Sequence, residues 1–117
     1  MFGQKPTRRA LLGSLLATPA LAQSAWPDRP VRIVVPFAQG GPMDLIARLV
    51  GEHLRGALGQ AFVPDFRTGA GGNLGAQAVA QAAPDGHTLL ATIDTVMTVN
   101  ATLYPRAGFD PTRDFTP

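Results

Sequence analysis

The stretch from Trp26 to Asp44 constrains the fold more than any other part of this chain. A short β-branched run (Val31, Ile33, Val34, Val35) enters Pro36-Phe37-Ala38-Gln39-Gly40-Gly41-Pro42-Met43-Asp44 and leaves it as a helical pattern. A nearly continuous apolar strand is expected where both faces of a parallel sheet are covered. The glycines that follow place a helix N-terminus directly after the strand. The same device returns at Gly69-Ala70-Gly71-Gly72-Asn73-Leu74-Gly75. Helix starts of this kind present unpaired N–H groups and the positive end of the helix dipole, which together suit an anion. Two of them on one sheet predict a site for a small anion beyond the carboxyl ends of the strands.

The rest of the chain fits between these two points. A helix is expected from about Asp44 to Leu58, with Leu45, Ile46, Leu49, Val50, Leu54 and Leu58 tracing its buried face and Gly59 as its C-terminal stop. A second strand follows near Ala61–Phe66. After the second glycine loop, Leu74, Ala78, Val79 and Ala82 mark a helix whose small residues allow close packing on a sheet, and Pro84-Asp85-Gly86 turns the chain into a third buried strand over His87–Thr92. Beyond it we expect a loop and then a short helix or turn, with Asp94 and Thr95 on the rim that holds the glycine loops. Strand, helix, strand, helix, strand implies right-handed crossovers and a parallel α/β sheet (βαβαβ) with helices on both faces.

The N-terminus has a different character. Thr7-Arg8-Arg9-Ala10-Leu11-Leu12 precedes an apolar run to Leu21 and a small-x-small site at Ala20-Leu21-Ala22. Residues 1–22 are therefore expected to be a secretory signal peptide, cleaved after Ala22, whose Arg8-Arg9 pair fits the twin-arginine type and also the basic n-region of the general secretory route, and residues 23–117 an exported, periplasmic chain. The run is shorter than the roughly 20 residues a spanning helix needs. Charge follows the cleavage. The whole sequence has net charge +2, but Lys5, Arg8 and Arg9 leave with the leader, and the remaining seven bases against eight acids give −1.

Several functions are disfavoured by what remains. No basic cluster interleaved with aromatics supports nucleic-acid binding. With no cysteine in the chain there is no disulfide framework and no thiolate metal site. The sixth position from Gly69 is Leu74 rather than the glycine of a dinucleotide fingerprint, and the exported part contains no lysine for a Walker loop. No serine follows Ser24, which excludes a serine nucleophile elbow. His53 and His87 lack partners at ligand spacing and are expected to pack or to face solvent. Asp44 and Asp94 are the two acids expected on the rim, and a helix cap and a turn account for both without catalysis. No cofactor and no metal are expected.

Taken in order, these motifs resemble a known family, the periplasmic solute-binding proteins of tripartite tricarboxylate transporters, or Bug receptors. The resemblance runs through Trp26-Pro27-Asp28-Arg29-Pro30-Val31, Val35–Asp44, Gly69–Gly75, Ala83-Pro84-Asp85-Gly86-His87-Thr88-Leu89-Leu90, Asn100 with Leu103-Tyr104-Pro105, and Asp110-Pro111 with Asp114-Phe115. It implies a two-lobed Venus-flytrap fold of the periplasmic-binding-protein kind, of which this chain would form an incomplete first lobe, because family members are far longer. It also implies a small organic acid held in the cleft, membrane transporter subunits as partners, and ligand contacts from Phe37, Gly40, Gly41 and Asp44, from Gly71, Gly72 and Asn73, and from Asp94 and Thr95. The chain departs from the family pattern at Phe66 and Thr68, where Asn and Pro are usual, and at Ala101, where the family has proline after the asparagine. The alternatives are a ligand-sensing protein serving a signalling partner, an exported enzyme using Asp44 and Asp94, and a truncated product without function.

Overall fold

The computed structural model describes residues 24–117. The signal peptide expected over residues 1–22 lies outside the described residues. Three parallel strands form one sheet in the order β2-β1-β3, with β1 at Val31–Val35, β2 at Phe62–Phe66 and β3 at Thr88–Leu90. Val31 stands opposite Phe62, and Ile33 opposite both Pro64 and Leu89. The central strand is the most deeply buried, with Val31, Val34 and Val35 at no more than 1% exposure. That is why β1 reads as an apolar run. The outer β3 is only half-buried, and the buried strand expected over His87–Thr92 is thus shorter and lies at an edge. Pro64 fits edge strand β2 for a related reason. Val31 N–H donates to Ala61 O and Arg67 N–H to Val35 O, and ladder alternation then turns the Pro64 nitrogen outward, where no donor is required.

Helix α1 spans Pro42–Leu58 and α2 spans Asn73–Ala80, with a 3-10 turn at Ala70–Gly72 leading into α2. They cover opposite faces of β1. A Cβ placed on Gly51 of α1 would lie 3.5 Å from Ile33 Cδ1, whereas one on Gly75 of α2 would lie 2.6 Å from Pro36 Cβ. Odd and even positions of a strand point to opposite sides, so the helices sandwich the sheet as expected. Gly59 ends α1 in the left-handed conformation, its N–H donating to Arg55 O at 2.9 Å. Two short helices follow β3, α3 at Asp94–Thr98 and α4 at Asn100–Leu103. No described helix is long and apolar enough to cross a membrane.

The buried face of α1 differs from the expected one. Met43, Asp44, Ala47, Gly51 and Leu54 turn inward, while Leu45, Ile46, Leu49, Val50 and Leu58 are exposed. The cause is proximity. Ile33 and Phe62 fill the space above the sheet, and a Cβ on Gly51 would already meet Phe62 O at 3.1 Å. Only a stripe of small residues lets the helix approach that closely. The same substitution of roles occurs in α2, where Gly75 and Ala76 are buried and Leu74 is 52% exposed.

Candidate functional site

The three loops at the carboxyl ends of the strands converge on Gly72. A Cβ on this residue would lie 2.8 Å from Val96 Cγ2 in α3, 3.7 Å from Phe37 Cζ and 3.7 Å from Pro36 Cβ. Its φ of +96° is left-handed. Glycine is therefore required here twice over, for conformation and for space. The strand order explains why the loops meet. The chain leaves β1 toward β2 on one side and returns to β3 on the other, so the loops after the three strands emerge side by side at the switch point beside β1.

The two glycine-preceded helix starts are not equivalent. In α1, Gly41 is the N-cap and Pro42 the first helical residue. Asp44, only 6% exposed, turns back so that Gly40 N–H donates to its Oδ2 at 2.8 Å, and Arg48 Nε donates to its Oδ1. Only the acid's half of a capping box is present, and it reaches the residue before the N-cap, since the N-cap glycine has no side chain to return the bond. The Gly40 N–H, followed by the Arg48 guanidinium, holds the Asp44 carboxyl below the usual carboxylate range. Arg48 in turn stands 5.9 Å above the Phe66 ring, a cation–π contact. The α1 dipole is therefore served by the protein's own anion, and neither oxygen of Asp44 is unpartnered.

The start of α2 carries no acid. Its N-cap is Gly72, no side chain caps it, and no Asp or Glu lies in its first turn. It is the helix terminus of the two at which an external anion meets no competing carboxylate. Ala70, Gly71 and Gly72 take successive left-handed φ values of +48°, +65° and +96°, and Gly72 N–H donates to Gly69 O at 3.0 Å.

The expected site residues divide accordingly. Gly40, Gly71, Asp94 and Thr95 are exposed on the rim, with Phe37 and Gly41 half-buried beside them. Gly72, Asn73 and Asp44 are buried. Asp94 opens α3 and uses its backbone carbonyl to accept from Thr98 Oγ1 at 3.0 Å. Asn73 turns toward a residue assigned no ligand role from the sequence, Asn100, which is itself only 5% exposed and donates to Asn73 Oδ1 at 2.8 Å. A polar residue inside Val96–Leu103 was the available signal for Asn100. Its partners lie 27 and 29 residues away, beyond any local pattern.

Among the described residues no group of three His, Asp or Glu side chains is placed to hold a metal ion. Asp44 and Asp94 have different surroundings and no hydrogen bond joins them. The histidines are accounted for elsewhere. His53 is exposed on α1. His87 packs edge-on to Trp26 at the opposite end of the sheet, with Nε2 3.0 Å from Asp28 Oδ1.

This chain is similar to known proteins in sequence and in backbone fold. The family model described as the tripartite tricarboxylate transporter family receptor, TctC, matches residues 46–117. A UPF0065 protein of Bordetella bronchiseptica is 43% identical over 102 residues, covering 87% of this chain and 30% of its own. The structure of Rhodopseudomonas palustris MatC with bound malate superposes with a TM-score of 0.69 at 43% identity, over 78% of this chain and 31% of MatC. The structure of Rpa4515 from R. palustris with adipate gives a TM-score of 0.75 at 42% identity, over 79% of this chain and 31% of that one. The chain thus spans about 30% of the length of the relatives it matches. It belongs to the tripartite tricarboxylate transporter receptor family.

Proposed function

We propose that this chain is the opening part of a periplasmic receptor for a small di- or tricarboxylic acid, which the complete receptor delivers to the subunits of a tripartite tricarboxylate transporter. The observation that carries the reading is the convergence of three loops on Gly72 beside the uncapped, acid-free start of α2. A carboxylate placed there meets the positive end of the helix, and no carboxylate in the first turn of α2 opposes it. Related proteins of known structure hold malate and adipate. Binding without chemistry suits the residues present, since each oxygen of Asp44 accepts a hydrogen bond.

The test is thermal unfolding of residues 23–117 at neutral pH with malate, adipate and citrate, alongside a matched chloride control. A ligand that binds only the folded chain stabilises it by about 2.7 kcal/mol at a hundredfold excess over Kd. One acid is expected to raise the midpoint in a concentration-dependent way. Equal midpoints with all three acids and with chloride would overturn the reading.

A further inference from the structure

The polarity of the buried amide pair beneath the second glycine loop specifies what that loop offers to a ligand. Asn100 Nδ2 lies 2.9 Å from Gly71 O and 2.8 Å from Asn73 Oδ1. A backbone carbonyl only accepts, so the end of the Asn100 amide that faces Gly71 is its NH2. The same NH2 faces Asn73, and Asn73 must answer with its oxygen. Asn73 Nδ2 is thereby turned away from Asn100, and no described residue accepts from it. Among the described residues, the buried side-chain atoms that make no hydrogen bond are His87 Nε2, which still faces Asp28 Oδ1 at 3.0 Å, and Thr92 Oγ1. Asn73 Nδ2 is not one of them, so this donor, on a side chain otherwise 5% exposed, keeps contact with solvent.

We propose that Asn100 is the positioning residue of the binding loop: by holding Gly71 O and Asn73 Oδ1 together it makes Asn73 present a hydrogen-bond donor, which selects an acceptor-only ligand group, a carboxylate. The inference deepens the receptor reading and rests on it for the identity of the ligand group. Three features support it. Asn73 is the first residue of α2, where the dipole favours the same ligand charge. Asn100 opens α4, so the clamp joins the loop after β2 to the helices after β3. It also restrains Gly71, one of the three successive left-handed residues, from the carbonyl side. An amide free to rotate would present donor or acceptor equally, and a site built on it would not discriminate a carboxylate from an ammonium group.

The experiment compares the wild-type chain with Asn100→Asp and Asn100→Ala, using malate and adipate as probes. Aspartate keeps the size of asparagine but offers only acceptors, so it repels Gly71 O and draws the NH2 of Asn73 toward itself. The expected result is at least about a tenfold loss of acid affinity in Asn100→Asp, the scale of one lost hydrogen bond to a charged ligand, and a smaller loss in Asn100→Ala. The side-chain amide resonances supply a readout that needs no ligand. In the wild type the Asn100 NH2 should exchange slowly with water and the Asn73 NH2 quickly, and in Asn100→Asp the Asn73 NH2 should become protected. Wild-type binding with unchanged affinity in Asn100→Asp would overturn the inference and leave the receptor reading intact. Absence of wild-type binding together with the expected amide protection would overturn the receptor reading alone. Fast exchange of the Asn100 NH2 in the wild type would overturn the clamp itself.

Discussion

Val96 occupies the space that a side chain on Gly72 would need, with its Cγ2 2.8 Å from the position of a Cβ there. The contact joins the second glycine loop to α3, and Val96 is itself 1% exposed, so it has little room to yield. Gly72→Ala adds this collision to a φ of +96° that alanine rarely adopts. A loss of about 1–3 kcal/mol is expected from the backbone alone, with the collision in addition. Chemical denaturation checks it, and an alanine variant as stable as the wild type would contradict the packing described.

Two other glycines should respond in opposite directions. Gly75→Ala drives a methyl group to 2.6 Å from Pro36 Cβ and 3.0 Å from Arg67 O, an overpacking expected to cost about 1–3 kcal/mol. Gly56 lies on α1 with nothing within 4 Å of an added Cβ. Gly56→Ala should stabilise by about 0.5–1 kcal/mol, since alanine loses less conformational entropy in a helix. Matched urea titrations of the two variants test both signs together.

The exposed stripe of α1 predicts tolerance at positions that look like core. Leu49 is 63% exposed and Ala47 is 2% exposed. Leu49→Gln should change stability by no more than about 0.5 kcal/mol, whereas Ala47→Leu should cost about 1–3 kcal/mol by forcing α1 off the sheet. The reverse order would restore Leu45, Ile46, Leu49 and Val50 as the sheet-facing stripe.

Acid should weaken the first loop through Asp44. Its folded pKa lies below the ordinary 3.8 because it accepts the Gly40 N–H and pairs with Arg48. A carboxyl with a depressed folded pKa contributes stability above its unfolded value and loses it as pH falls through the folded one. Asp85, bonded to the His87 N–H and to Arg29, and Asp110, bonded to Thr112, act in the same direction. The melting temperature should therefore fall below about pH 4, and Asp44→Asn should lower it at pH 7 while flattening the acid slope. Melting curves between pH 3 and pH 7 decide the matter, with parallel wild-type and variant slopes as the contrary result.

Much of this molecule was legible before any tertiary structure was considered, and the parts that were share one property. The run Val31–Val35, the glycine turns before α1 and α2, and the stop at Gly59 are each set by a residue and its immediate neighbours, through β-branching, left-handed φ and helix capping. The order of these elements then required a parallel sheet between two helix layers. What only the tertiary structure decided involves residues far apart in the chain. Which face of α1 is buried depended on the space left above Ile33 and Phe62, and hydrophobic periodicity records apolar content but not available room. Whether Asp44 is free for a ligand depended on how the Gly40 and Arg48 donors surround it. The orientation of Asn73 depended on Asn100, a buried amide 27 residues away, because the direction of a hydrogen bond exists only once donor and acceptor have been brought together.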